Sequence, residues 1–208
     1  MTGTGTEVGK TFVAARLLEQ LRSWGWRVAA RKPVQSYEEG AGPTDADVLA
    51  NATGERSDDV CAPHWSYPRP LAPPMAAELL RWPPPTLDEL ATELAWPPGT
   101  QLGIVEGVGG PRSPLAVDGD TVELAAAIDP DVVLLVADAG LGAINAVRLA
   151  VVALARWPVT VVLNRFDGSD DLHRRNRAWL AEVDGFDVTG GVDEVAARLR
   201  ARGPARSG

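Results

Sequence analysis

The first eleven residues, MTGTGTEVGKT, constrain this chain more than any other segment, because glycines lead directly into a lysine and a threonine. An amphipathic run over residues 12–21 follows at once, so Lys10 and Thr11 open a predicted helix. Glycines let the backbone wrap with its N–H groups facing an anion, and the helix N-terminus adds the positive end of its dipole. Lys10 can reach terminal phosphates, and the Thr11 hydroxyl can ligate Mg²⁺. The segment predicts a phosphate-binding loop (P-loop), with a simple glycine-rich turn as the alternative.

The predicted P-loop departs from the standard form in its spacing and in what precedes it. Five residues separate Gly3 from Gly9, where the standard form has four. A P-loop normally follows a buried strand of about five residues, but only Met1 and Thr2 precede Gly3. We therefore expect either a true start upstream of Met1 or a sheet that lacks its central strand.

Length, charge and cysteine content limit the possible functions. The 208 residues predict one domain over 1–208, with a frayed tail over 202–208. A net charge of −8 argues against nonspecific nucleic-acid binding, which relies on basic patches. The single cysteine, Cys61, excludes an internal disulfide and is expected to serve packing. No apolar run approaches the about 20 residues of a membrane span, so we expect no membrane association and a cytoplasmic location.

Short apolar runs alternate with amphipathic stretches along the chain. This pattern predicts an α/β fold, a mostly parallel sheet with helices on both faces in a P-loop NTPase-like single domain. The predicted strands are 27–34, 101–106, 132–137 and 159–164. The predicted helices are 10–24, 45–52, 75–81, 87–95, 121–128, 143–156, 172–183 and 192–200. Asp120 and Glu123 are spaced as a capping box for the helix over 121–128.

Ligands of such sheets bind beyond the carboxyl ends of the strands, and polar or glycine residues follow each predicted strand. Glu106 ends the second strand, where a carboxylate can hold Mg²⁺, although a solvated or capping acid is the alternative. Lys32, near the end of the first strand, can neutralise charge on a transferring phosphate, or it is an ordinary surface lysine. Asp45, together with Thr44, opens a helix and by itself favours a cap over a metal ligand.

Taken together, these segments resemble one family, the dethiobiotin synthetases, and they occur in that family's order. The P-loop is similar to the family's loop, including its five-residue spacing, and Lys32-Pro-Val-Gln-Ser36 resembles its Lys-Pro-Val-x-Ser/Thr segment. The other similar segments are Thr44-Asp45, the Pro-Ala-rich stretch 67–77, Val105-Glu-Gly-Val-Gly-Gly110 and 141–145. The resemblance covers residues 1–164 and is weak beyond them.

The resemblance implies a ring-closing ligase that consumes ATP with Mg²⁺. Such an enzyme forms the ureido ring of dethiobiotin from 7,8-diaminopelargonic acid and CO₂, through a carbamate and then a carbamic-phosphoric anhydride. The resemblance also implies a homodimer with the substrate site at the subunit interface. There the substrate carboxylate would meet a helix N-terminus of the partner, around residues 141–145.

Site residues can be assigned by position, as the resemblance implies them. The implied catalytic residues are Lys32, Lys10 and Thr6. The implied substrate-binding residues are Ser36, Thr6 and Asn145. The implied ATP-binding residues are Glu7, Val8, Gly9, Lys10, Thr11, Phe12, Asp45, Glu106, Gly107, Val108, Gly109 and Asn164, the last touching adenine. The implied metal ligands are Thr11, Asp45 and Glu106.

Some positions depart from the family pattern, and other functions compete with the synthetase. Gly5, Tyr37 and Ala146 replace the family's usual aspartate, glycine and histidine, and Gly190-Gly191 is the nearest match to its base-pocket segment. One alternative is a related amidating ligase, although the chain is short for the glutaminase domain that such enzymes carry. Another is a nucleotide-switch ATPase of the partition type, but no lysine occurs before Lys10. The last is a degenerate relative with impaired activity.

Overall fold

A computed structural model describes residues 1–203, and the predicted tail residues 204–208 lie outside them. The strands are β1 (Thr2–Gly3), β2 (Val28–Arg31), β3 (Gln35–Ser36), β4 (Ser66–Tyr67), β5 (Leu102–Val105), β6 (Pro114–Ala116), β7 (Gly119–Asp120), β8 (Val133–Asp138), β9 (Val159–Asn164) and β10 (Asp187–Thr189). The α-helices are α1 (Lys10–Ser23), α2 (Asp45–Thr53), α3 (Ser57–Val60), α4 (Pro73–Leu80), α5 (Leu87–Thr92), α6 (Thr121–Ile128), α7 (Ala143–Ala153), α8 (Asp171–Ala178) and α9 (Val192–Arg202). A 3₁₀ turn covers Pro63–Trp65, and a π-helical turn over Trp179–Val183 continues α8. Among residues 1–203, none of the helices combines the length and the apolar character needed to cross a membrane.

A mostly parallel sheet organises these elements, as the α/β pattern predicts. Strands β1, β8, β9 and β10 pair in the order β1-β8-β9-β10, and β2 pairs with β5, all in parallel. Backbone bonds link the two groups, since the Met1 nitrogen donates to Val105 O (2.6 Å) and the Gly107 N–H donates to Met1 O (3.0 Å). The carboxyl ends of the parallel strands therefore meet at one edge of the fold.

Strand β1 lies between β5 and β8. Thr2 pairs with Leu135 and Gly3 with Val136, and the Thr4 N–H donates to Val136 O at 2.8 Å. The expectation of a sheet without its central strand is therefore wrong. Ladder bonds use only backbone groups, so a two-residue strand suffices when a neighbouring strand on each side supplies partners.

The side chains of β8 alternate between two hydrophobic cores, one on each face of the sheet. Val136 packs into the core that α1, α2 and α9 cover, whereas Leu135 and Ala137 pack into the core that α7 covers. This alternation follows from the two-residue side-chain period of a strand. It explains why β8 and β9 are continuously apolar, and helices on both faces confirm the predicted layers.

The predicted helices are present, with shifted ends. The capping box of α6 forms, since Asp120 Oδ1 accepts the Glu123 N–H at 3.2 Å and Glu123 Oε2 accepts the Asp120 N–H at 2.7 Å. Helices α5 and α7 end earlier than predicted, at Thr92 and Ala153. Beyond both ends the backbone tightens into turns, since the Leu94 N–H donates to Ala91 O at 3.3 Å and the Leu154 N–H donates to Val151 O at 3.0 Å. Helix α9 continues to Arg202, so this residue is helical, although the predicted frayed tail included it.

Strand β10 extends the sheet and is absent from the sequence prediction. Val188 pairs with Val161, and Asp187 and Thr189 flank it. A three-residue strand with one apolar residue carries no hydrophobic run that could be recognised. Other short elements also lack a recognisable hydrophobic run and were not predicted: helix α3, the β3–β4 ladder and the β6–β7 hairpin.

Candidate active site

The loop between β1 and α1 presents a row of backbone donors. Gly9 precedes α1 with a φ of 90°, which glycine adopts without strain. Glu7 has a φ of 61°, a conformation that costs a non-glycine residue about 1 kcal/mol or more. Within residues 1–203, the N–H groups of residues 8–12 have no acceptor. Free donors at a helix N-terminus suit an anion, which supports the predicted P-loop.

Lys10 reaches back across this loop. Its Nζ donates to the Gly5 carbonyl at 3.0 Å, and the residue is 8% exposed. Burial lowers the pKa of Lys10 and the charge of Lys32 lowers it further, while Glu106 and Asp45 oppose the shift. An anion seated in the loop would stabilise the charged form of this lysine.

Thr11, Asp45 and Glu106 converge at the carboxyl edge of the sheet. The Thr11 hydroxyl lies 2.8 Å from Asp45 Oδ1 and 2.8 Å from Glu106 Oε1. Glu106 follows β5 and is fully buried, and its Oε2 has no hydrogen-bond partner within the described residues. An unpaired buried carboxylate oxygen is a group that a cation stabilises.

These oxygens fit Mg²⁺. The ion prefers oxygen ligands, and in nucleotide sites it takes one or two carboxylates together with waters and substrate phosphates. Among residues 1–203, no cluster of three or more His, Cys, Asp or Glu side chains is suited to a metal. A hydroxyl with two carboxylates is the kind of partial site that a bound nucleotide would complete.

Lys32 is the counter-ion of the two carboxylates. Its Nζ lies 2.8 Å from Asp45 Oδ2 and 2.8 Å from Glu106 Oε1, and it donates to the Gly107 carbonyl at 3.2 Å. Burial by itself would lower the pKa of Lys32, but the carboxylates of Glu106 and Asp45 raise it above the ordinary value. Lys32 is 2% exposed, so the alternative of an ordinary surface lysine is wrong.

Asp45 belongs to the cluster because a neighbour takes the capping role. Thr44 caps α2, with its hydroxyl accepting the Asp47 N–H at 3.2 Å. Burial would raise the pKa of Asp45, but Lys32 and the Thr11 hydroxyl hold it below its usual range. Asp45 is therefore ionised at neutral pH.

The residues on either side of Ser36 line a cavity that Ser36 itself does not line. Gln35 and Tyr37 line a cavity of about 420 Å³ together with Asp47 and Trp82, whereas Ser36 does not line it. Successive strand residues point to opposite faces, which accounts for the difference. Tyr37 therefore contributes to this cavity, and the Ser36 side chain does not. Within residues 1–203, no hydrogen bond joins Ser36 to Lys32.

The segment that follows β5 packs against the P-loop. A Cβ built on Gly109 would lie 3.6 Å from Thr6 Oγ1, and one built on Gly110 would lie 3.6 Å from the Gly3 carbonyl oxygen. Gly107 is tied to Met1, as described for the sheet, and Thr6 is exposed at the surface of the loop. The structure thus brings Thr6 and residues 106–110 together around one loop.

A second cavity lies beside the P-loop at the end of β9. It has a volume of about 230 Å³, and its lining includes Phe12, Asn164, Gly190 and Gly191. The Asn164 Nδ2 donates to the Val8 carbonyl at 2.9 Å, so this cavity is continuous with the loop that holds the free N–H groups. No hydrogen bond among residues 1–203 uses the Asn164 Oδ1, which can therefore accept from a ligand.

Asn145 stands apart from these residues. It is exposed on the first turn of α7, and within residues 1–203 no hydrogen bond joins it to the P-loop. Leu141, in the turn before α7, is 94% exposed, and Leu149 and Val152 are exposed along the same helix. The structure therefore does not bring Asn145 to the site within one chain.

Comparison with known proteins agrees with this geometry. The protein family described as AAA domain matches residues 1–198. The ATP-dependent dethiobiotin synthetase BioD of Rhodococcus jostii is 37% identical over 209 residues, which cover 96% of this chain and 87% of the relative. The chain belongs to the dethiobiotin synthetase family.

Other dethiobiotin synthetases match over similar lengths. The synthetase of Haloferax mediterranei is 37% identical over 90% of this chain and 80% of its own length, and that of Anaeromyxobacter dehalogenans is 34% identical over 98% and 94%. A crystal structure of the signal recognition particle 54 kDa protein from Aeropyrum pernix, in complex with GDP, matches with a TM-score of 0.50 and 18% identity. That match covers 95% of this chain and 44% of the other, and it concerns the fold alone.

Two residues next to the P-loop, Arg165 and Asp138, were not predicted as site residues from the sequence. Arg165 donates to the Glu7 carbonyl at 3.0 Å and to Asp138 Oδ2 at 2.8 Å. Both residues lie at carboxyl ends of predicted strands, which was the available signal. Neither stands in a motif, and their contacts with the loop join residues that are far apart in sequence.

Proposed function

We propose that this chain is a dethiobiotin synthetase that closes the ureido ring of dethiobiotin on 7,8-diaminopelargonic acid, using CO₂ and ATP. The observation that carries the proposal is the bonded cluster of Thr11, Lys32, Asp45 and Glu106 beside the free N–H groups of the P-loop. Each member comes from a different segment of the chain, so the arrangement depends on the whole fold.

ATP would lie along the P-loop with its base in the cavity at the end of β9. The N–H groups of residues 8–12 and the Lys10 ammonium would bind its phosphates. The free Oδ1 of Asn164 would accept from the exocyclic amine of adenine, and Gly190-Gly191 would leave room for the ring. Residues Gly107, Val108 and Gly109 would flank the phosphates from the opposite side.

Mg²⁺ would be held by Thr11, Asp45 and Glu106, and it would neutralise charge on the phosphates of ATP. Lys32 contacts the same carboxylates, so its ammonium would stand beside the site of phosphoryl transfer. There it would stabilise the carbamate anion and the charge that develops during transfer. Ser36 and Thr6 would position the carbamate by hydrogen bonds.

The reaction needs no protein nucleophile. One substrate amine attacks CO₂ and loses a proton, which gives a carbamate. A carbamate oxygen attacks the γ-phosphorus of ATP and expels ADP. The second amine then attacks the carbamate carbon, expels phosphate and loses a proton, which closes the ring. Lys10 and Lys32 would act by lowering the cost of bringing two anions together.

A homodimer would complete the substrate site. The exposed Leu149 and Val152, together with Leu141 in the preceding turn, give α7 an apolar face that a second subunit can cover, and Asn145 lies at the N-terminal end of that helix. In the dimer, Asn145 and the N-terminus of α7 would reach the substrate carboxylate of the partner subunit. We expect the enzyme in the cytoplasm, where ATP is available.

The test is phosphate release from MgATP and bicarbonate, with and without 7,8-diaminopelargonic acid. We expect release to depend on the diamine, with dethiobiotin appearing in equal amount by mass spectrometry. Diamine-independent release would contradict the proposal and favour a simple ATPase.

A further inference from the structure

Two consecutive residues at the end of β9 hold two consecutive carbonyl groups of the P-loop. The Asn164 Nδ2 donates to the Val8 carbonyl at 2.9 Å, and one Arg165 nitrogen donates to the Glu7 carbonyl at 3.0 Å. The approach is close, because a Cβ built on Gly9 would lie 2.1 Å from Asn164 Nδ2. Residues at the end of β9, two strands away from β1 in the sheet, therefore hydrogen-bond the P-loop at two neighbouring peptide groups.

These two bonds fix the direction of two N–H groups. The described residues contain no cis peptide bond, and in a trans peptide the carbonyl and the following N–H point in opposite directions. Turning the Glu7 and Val8 carbonyls toward β9 turns the N–H groups of Val8 and Gly9 away from it. Both of these N–H groups belong to the row of free donors in the loop.

Arg165 contacts the P-loop at Glu7, the residue with a strained backbone conformation. Glu7 holds its φ of 61°, and such a conformation persists when surrounding contacts over-determine it. Arg165 is held in turn by Asp138, whose Oδ2 lies 2.8 Å from the guanidinium and whose Oδ1 accepts the Gly140 N–H at 2.9 Å. These bonds form a chain from the end of β8 through Arg165 to the P-loop.

We propose that Arg165, held by Asp138, is a positioning residue that orients the Val8 and Gly9 N–H groups of the P-loop toward the phosphates of the nucleotide. The inference rests on the proposed nucleotide site. Arg165 also carries a positive charge, and a cation near the loop attracts phosphate without orienting anything. The two explanations differ in the sign that they predict for Asp138.

Changing Asp138 to asparagine separates the two explanations. The variant removes one negative charge beside the loop, so simple attraction predicts tighter binding of MgATP. Positioning predicts the reverse, because Arg165 loses its carboxylate partner while Gly140 keeps an acceptor. We expect the dissociation constant for MgATP, measured by calorimetry, to rise about threefold in Asp138→Asn and about tenfold in Arg165→Ala. Arg165→Lys should recover part of the loss.

Arg198 provides a matched control. It donates to Asp187 Oδ1 at 2.5 Å and to the Val188 carbonyl at 3.4 Å, so it also joins a carboxylate to a backbone carbonyl. Its contacts lie near the amino end of β9, since Asp187 pairs with Thr160. We expect Arg198→Ala to leave the dissociation constant for MgATP unchanged.

Steady-state kinetics provide a second readout. We expect Arg165→Ala to raise KM for ATP about tenfold and to leave KM for 7,8-diaminopelargonic acid unchanged. Tighter binding of MgATP by Asp138→Asn, or unchanged binding by Arg165→Ala, would overturn the inference while the proposed function stands. A wild-type chain that fails to bind MgATP would overturn both.

Discussion

Replacing Lys32 with methionine should destabilise the fold strongly, because it removes the cation from the Glu106 carboxylate. Glu106 is fully buried, and Lys32 Nζ lies 2.8 Å from its Oε1. Removing one partner of a buried ion pair costs about 3–5 kcal/mol, since the other charge stays buried and unpaired. For a chain of this length that loss corresponds to a fall in Tm of about 6–20 °C. Urea unfolding at pH 7 measures the loss in the free energy of unfolding.

Two further variants test the cause of this loss. In Lys32→Met/Glu106→Gln no fully buried carboxylate remains unpaired, because the Asp45 side chain is 42% exposed, so we expect at least about 2 kcal/mol of the stability to return. Arg112 also lies between two carboxylates, at 2.9 Å from Asp120 and 3.5 Å from Glu123, but its side chain is 63% exposed. Arg112→Met should therefore cost no more than about 1 kcal/mol.

The effect should also depend on pH. In the wild type, Lys32 holds the pKa of Asp45 below its usual range, so this contribution to stability is complete above the unfolded pKa of Asp45 and is lost as pH falls through the lower folded pKa. In Lys32→Met this contribution is absent. The difference in stability between the two proteins should therefore shrink as the pH falls below about 4, near the unfolded pKa of Asp45. A constant difference, or a loss under 1 kcal/mol at pH 7, would refute the reasoning.

Three further predictions concern the P-loop, the thiol and a helix cap. Lys10→Ala should abolish diamine-dependent phosphate release with an unchanged circular dichroism spectrum, and turnover at the wild-type rate would remove Lys10 from the mechanism. Burial raises the pKa of Cys61 to about 12, so iodoacetamide at pH 8 should label it only in urea, and fast labelling of the native chain would contradict its burial. Asp120→Ala should cost about 1 kcal/mol in urea unfolding, because it removes the acceptor of the α6 capping box, and an unchanged midpoint would argue against that box.

The sequence predicts the fold well where hydrophobic runs are long. Strands β8 and β9 are buried on both faces, so their apolar runs show them directly. Strand β1 could not be predicted, because only two residues form it and its partners come from distant strands. The end of α7 was predicted too late, since its apolar pattern continues beyond Ala153 toward a proline that the helix does not reach.

Some residues of the candidate site could be predicted from local sequence, whereas others depend on the fold. Local motifs indicate Lys10 and Thr11, because a P-loop is defined by neighbouring residues. The roles of Lys32 and Glu106 were open from local sequence alone, since 74 residues separate them and only the fold brings them together. Arg165 follows a predicted strand, but its contact with the P-loop could not be predicted, because it is made to the backbone carbonyl of Glu7, 158 residues away in the chain.

Isotope transfer tests the proposed reaction most directly. If a carbamate oxygen attacks the γ-phosphorus of ATP, that oxygen leaves with the phosphate when the ring closes. With ¹⁸O- and ¹³C-labelled bicarbonate, the account predicts one ¹⁸O atom in each released phosphate and one ¹³C atom in each dethiobiotin. Release of phosphate without the label from bicarbonate would mean that water attacks ATP, and it would contradict the account.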